Sequence, residues 1–133
     1  MILQPRSPSA RRRNAFTLLE VLVVVAIILV LASTATVAVL QIMKENKADS
    51  AKLNAMALDK ALKSYMIKND GNPPQNIQDI LRYVDGNDPA KLIDPWGQQY
   101  TIGSADNGTG TVTYYIQTTN PDTGDIIRSD AKH

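Results

Sequence analysis

Glu20 is the side chain whose chemistry most needs a reason. The stretch RRRNAFTLLEVLVVVAIILVLAS (residues 11–33) runs from Arg11, Arg12 and Arg13 through a small residue, Ala15, into an apolar segment with this one acid near its start. A charge in a membrane-spanning helix costs roughly 2.5–3.5 kcal/mol at the bilayer centre for Asp and basic side chains, so an acid there implies a function and a partner. A secretory signal keeps its apolar core uncharged and places small residues after it. Here the small residue comes first. Other reactive groups are scarce. There is no cysteine for a disulfide or a thiolate metal site, and the one histidine, His133, has no companions for a zinc cluster and no depth for a buried base. Asp122 and Asp125, in NPDTGD (residues 120–125), are closely spaced carboxylates among ordinary turn residues. SADNGTG (residues 104–110) has glycines but neither the lysine nor the following helix of a phosphate loop. No catalytic site is expected.

The elements that position these groups follow from periodicity. Residues 21–40 contain no charge, glycine or proline, and Ser33, Thr34 and Thr36 are their only polar side chains. About 20 such residues cross a bilayer as a helix. The arginines on the N-terminal side place that end in the cytoplasm and the rest of the chain outside. Formal net charge is +1, but Arg6, Arg11, Arg12 and Arg13 all precede Ala15 and no acid does. The remaining residues 16–133 carry 10 Lys+Arg against 13 Asp+Glu, a balance that argues against a nucleic-acid surface. What remains outside the membrane has room for one small domain.

Past residue 40, Ala48, Ala51, Ala55, Leu58, Leu62 and Tyr65 recur at spacings of three and four, one apolar stripe on a continuing helix. With no glycine or proline in residues 17–68, a single helix about 78 Å long is possible. The stripe suits a local core better than a coiled-coil seam. Gly71, Pro73 and Pro74 end the helix. A short helix over 77–84 capped by Asn76, then strands at 99–103, 111–118 and 126–128, complete the pattern, with residues 104–110 as a loop and Trp96 as a core anchor beneath its turn. The expected fold class is α+β: a long N-terminal α-helix, transmembrane in its first half, with a small antiparallel β-sheet packed on its second half.

RRRNA followed by FTLLE and an apolar helix resembles the class III signal of type IV pilins and pseudopilins. That resemblance implies leader cleavage between Ala15 and Phe16 by a prepilin peptidase, N-methylation of Phe16, and an assembly role for Glu20, whose carboxylate would pair with the terminal amine of a neighbouring subunit. LIDPWGQQYTI (residues 92–102) is similar to a stretch in the major pseudopilins of type II secretion systems, matching at Asp94, Pro95, Trp96, Gly97 and Tyr100. NPDTGD resembles a shortened form of their calcium-binding loop, which implies Asp122 and Asp125 as calcium ligands; calcium takes six to eight oxygens. The departures are Ala15 in place of the usual leader glycine, Leu29 and Val37 where such helices often carry glycine and proline, and the shorter, less acidic loop.

The resemblance implies a pilin-like fold in three parts: a cleaved leader (1–15), a transmembrane and assembly helix (16–40) and a periplasmic domain (41–133). Within that domain the helix continues over 41–70, a variable segment covers 71–98 and the β-sheet covers 99–133. It implies a structural subunit, not an enzyme, in the bacterial inner membrane, polymerising with itself into a periplasmic pseudopilus that drives export of folded proteins. Its partners would be the prepilin peptidase, minor pseudopilins and an inner-membrane assembly platform, with no nucleic acid. The alternatives are a type IV pilin for adhesion, motility or DNA uptake, and a single-pass membrane-anchored binding module. The lack of a cysteine-closed C-terminal loop speaks against the pilin.

Overall fold

The computed structural model describes residues 15–131; the basic leader residues, among them Arg6 and Arg11 to Arg13, and His133 lie outside the described residues. The chain divides into two units, one ending at Val39 and one starting at Leu40, and helix α1 (Leu18–Lys68) contributes to both.

In the first unit the helix is apolar on every side and exposed, and the segment is long and apolar enough to cross a membrane. Its three hydroxyls are satisfied locally: Ser33 donates to the Val30 carbonyl (2.8 Å), Thr34 to Leu31 (2.9 Å) and Thr36 to Ala32 (2.9 Å). No side chain in residues 21–40 therefore needs a polar partner from its surroundings, as a lipid environment demands.

In the second unit the alanine and leucine stripe is core. Ala51, Ala55, Leu58 and Leu62 are buried, Ala61 joins them, and Ala48 and Tyr65 are half-buried. The helix stops where expected. Asp70 and Gly71 take left-handed conformations (φ +54° and +82°), and the Gly71 N–H closes on the Met66 carbonyl at 2.8 Å, the bond that terminates many helices. The short helix expected over 77–84 is present, in 3-10 rather than α form, and two further 3-10 turns follow it. The three lie at Ile77–Tyr83, Asp85–Asn87 and Pro89–Leu92. Positive φ at Gly86 and Asn87, followed by Pro89, stops any one turn from propagating. Asn76 stands at the N-terminus of the first of these, but the side chain that caps is that of Asp79, which accepts from the Gln75 and Asn76 N–H groups (3.1 and 3.0 Å). This tight segment places Ile77, Ile80, Val84 and Leu92 in one cluster with Leu58, Leu62, Tyr100 and Ile116. Full burial of an aliphatic side chain of this size contributes about 1.5–3 kcal/mol.

Three antiparallel strands, β1 (Thr101–Asp106), β2 (Val112–Thr119) and β3 (Ile126–Arg128), form a sheet in that order. Strand β1 is shifted from the expected 99–103: Gln99 instead bridges to Ile93, and Ser104, Ala105 and Asp106, expected in a loop, pair with Tyr114, Thr113 and Val112. Cross-strand hydrogen bonding outweighs their weak strand propensity. Ile116 faces the core. Its neighbour Tyr115, on the opposite face, lies across Gly103, where an added Cβ would collide with its ring, and the Arg128 guanidinium sits 3.8 Å from the ring centroid.

The turn at residues 94–97 is held by Asp94 rather than by Trp96. Asp94 is 5 % exposed; its Oδ1 accepts from the Trp96 and Gln98 N–H groups (2.9 and 2.8 Å) and its Oδ2 from the Thr118 hydroxyl on β2. Trp96 is only half-buried and stands outside the main core cluster, which corrects the expectation of a core anchor. Tyr100 is the aromatic anchor. Fully buried, it donates from its hydroxyl to the Ala51 carbonyl at 3.0 Å and so ties the start of the sheet to α1. Burial pushes its phenol up to about 12, so it remains a donor across the neutral range.

Candidate functional site

Ala15, Phe16 and Thr17 precede the first turn of α1, and all three are exposed. Thr17 caps the helix. Its hydroxyl oxygen accepts the Glu20 N–H at 3.2 Å, and its carbonyl accepts the Val21 N–H at 3.3 Å. Thr17 and Glu20 have the spacing of a capping box, in which a Ser or Thr is followed three residues later by Glu or Gln. The sequence contained this signal, and reading Glu20 only as an acid in an apolar run missed it. Glu20 therefore has a local structural role: it lies in the first turn, where the exposed N–H groups and the helix dipole favour a negative charge.

Magnitudes decide whether that role suffices. A carboxylate in the first turn gains about 0.3–1 kcal/mol from the dipole, against about 2.5–3.5 kcal/mol for an acid or base at mid-bilayer. Capping makes Glu20 tolerable while it stays near water, but not once water is removed. Among the described residues its carboxylate has no hydrogen-bond or ion-pair partner. The group is thus available to a cation from outside the described chain. Around it Phe16 (80 % exposed), Leu18, Leu19 and Leu22 present an apolar surface. The arrangement is an exposed apolar rod with one acid at its N-terminal end, suited to lateral packing with lipid or with like helices.

The second candidate, residues 120–125, folds as a tight loop between β2 and β3. The Asn120 N–H donates to the Asp125 carbonyl (2.9 Å), the Gly124 N–H to the Asn120 carbonyl (2.8 Å), and the Asp122 N–H to the buried Asn120 side chain (2.9 Å). Asp125 and Asp122 are thereby held close in one turn, with Thr123 Oγ1 accepting the Asp125 N–H at 3.3 Å. The donors are hard oxygens of the kind calcium takes, but few in number. Among the described residues no group of three or more acids, histidines or cysteines converges. Asp122 already faces a cation, the Lys44 ammonium at 3.8 Å. A calcium ion here would need Asp122 to exchange Lys44 for metal and would draw most of its ligands from carbonyls and water.

A family model described as the prokaryotic N-terminal methylation motif matches residues 10–36. The match brackets Ala15, Phe16 and Glu20 together with the start of the apolar helix. No curated protein and no solved structure matches the chain.

Proposed function

We propose that this chain, a membrane-anchored subunit of the type IV pilin-like or pseudopilin type, is the major pseudopilin of a type II secretion system. The observation that carries the reading is the methylation motif laid over a helix whose first turn exposes Phe16 and an acid without an internal partner. In this reading the prepilin peptidase removes residues 1–15 on the cytoplasmic side, and the new amine of Phe16 is methylated. Residues 16–40 store the subunit in the inner membrane, and the assembly platform with its minor pseudopilins draws it into a periplasmic filament packed through those residues. The domain at 41–133 faces the periplasm and pushes folded cargo toward an outer-membrane channel. Support for secretion over a pilus comes from the resemblance of residues 92–102 to the major pseudopilins, a stretch whose Asp94 and Tyr100 are buried and hydrogen-bonded, and from the absence of cysteine.

Processing is tested by intact mass. Full chain extracted from membranes of cells with an active prepilin peptidase is expected to lack residues 1–15 and to carry one added methyl group. A chain still beginning at Met1 would remove the main support for the reading. Deleting the gene is expected to abolish export of folded proteins; loss of surface pili with export intact would move the assignment to a type IV pilin.

The proposal extends to Asp122 and Asp125 as calcium ligands. A metal that binds only the folded state raises stability by mass action. The melting temperature of the detergent-solubilised full chain is therefore expected to rise with added calcium, and Asp122→Ala to abolish the rise. Equal melts in calcium and in chelator would leave the loop held by Lys44 and its own hydrogen bonds.

A further inference from the structure

The outer unit has an open groove of about 660 Å³ between α1 and the 3-10 segment. Ala57, Leu58, Ala61, Val84 and Ile93 give it an apolar lining, and Lys60 and Lys91 also line it. Ile93 is 40 % exposed there, although nothing polar requires it at the surface. Lys91 donates to the Asp85 carbonyl and faces the Asp85 carboxylate, which also lines the groove, at 3.9 Å, whereas Lys60 has no carboxylate partner among the described residues.

A matching surface lies on the same chain. Ile126, 61 % exposed, opens the short edge strand β3 directly after the loop that carries Asp122 and Asp125. Charge is segregated in the same sense: residues 44–68 carry six lysines against three acids, and residues 99–131 carry four aspartates against one arginine. Groove and corner are different patches: the groove carries Lys60 beside the Lys91–Asp85 pair, and the corner carries Asp125 beside the Asp122–Lys44 pair. Contact between unlike patches is heterologous, and when the rotation does not close it builds an open helical array.

We propose that the groove receives the corner formed by residues 122–126 of a second copy of this chain, with Ile126 against Ala57, Ala61 and Ile93, and Asp125 facing Lys60. The contact rests on the polymer reading above and gives it a second interface, outside the membrane helix. Like the acid at Glu20, Asp125 meets a cation of a neighbour, but in water, where the pair adds register and direction more than strength.

The chain has no cysteine, so introduced thiols report unambiguously. Full chain carrying both Ile93→Cys and Ile126→Cys, expressed in cells with the peptidase and assembly machinery and oxidised in chelator so that the carboxylates are metal-free, is expected to give a disulfide ladder of many rungs. Either cysteine alone should stop at dimers. In parallel, Lys60→Glu is expected to lower the yield of sheared filaments about threefold to fivefold, and adding Asp125→Lys to restore it. Filaments of normal yield without a ladder, unaffected by Lys60→Glu, would overturn the groove contact and leave the polymer standing. Ile93→Cys crosslinked only to a different protein would assign the groove to that partner and overturn the proposal. No filaments from the wild-type chain would overturn both readings.

Discussion

Glu20→Ala and Glu20→Gln are both expected to leave membrane insertion, leader cleavage and the outer domain intact while reducing incorporation into filaments by about a hundredfold, the size of effect that follows from leaving one member of a buried ion pair uncompensated. In the proposed filament the partner is the amine that leader cleavage would create at Phe16 of a neighbouring subunit; such an amine has an ordinary pKa of about 7.7–8.0 and keeps its charge on methylation. The two variants separate the proposed pairing role from a role at the helix N-terminus. Gln keeps the capping-box spacing with Thr17 but carries no charge; Ala keeps neither. If helix capping were the reason for the acid, Glu20→Gln would assemble at wild-type levels and Glu20→Ala would not. If both assembled normally, neither role would account for it. The measurement is the fraction of tagged variant subunit recovered in sheared filaments beside wild-type subunits, with cleavage followed by mass on the same sample.

Asp94→Ala is expected to cost the outer unit about 3–5 kcal/mol, because the backbone N–H groups of Trp96 and Gln98 and the Thr118 hydroxyl all lose their acceptor, and an unsatisfied buried group costs about 1–3 kcal/mol. That is a large part of the 5–15 kcal/mol typical of a domain. At about 4–8 °C per kcal/mol for a unit of this size the melting temperature should fall by roughly 15 °C or more. Asp94→Asn keeps an acceptor for the two N–H groups and lets the Thr118 hydroxyl turn and accept, so its loss should be less than half as large. Circular dichroism melts of the full chain in detergent measure both. A fall of only a few degrees for Asp94→Ala would mean that Tyr100 and the aliphatic cluster hold this turn without the carboxylate.

The outcome for individual elements separates local from non-local information. The helix end at Asp70 and Gly71 was legible because a left-handed residue followed by prolines leaves the chain no other course. The buried stripe of Ala51, Ala55, Leu58 and Leu62 was legible because a 3.6-residue period needs no knowledge of the partner. The register of β1 was not legible: Gly103, Ser104 and Asp106 are poor strand formers, and only the pairing with β2 makes them strand. The same holds for DPWG. Trp96 is the conspicuous residue, yet the buried hydrogen-bonding work falls to Asp94, whose donor on β2, the Thr118 hydroxyl, is 24 residues away in the chain.

For this protein the sequence by itself determined the long helix, its apolar first half, the motif around Phe16 and Glu20, and the α+β character of the remainder. All of these depend on short-range period, charge order and residue type. Tertiary structure alone decided that Asp94 and Tyr100 hold the outer unit, that Tyr115 rests on Gly103 beneath Arg128, that Lys44 faces Asp122, and that a lysine-edged groove lies between α1 and the 3-10 segment. Those contacts join residues far apart in the chain. Each is set by which surfaces the closed fold brings together, and no local period or propensity encodes that.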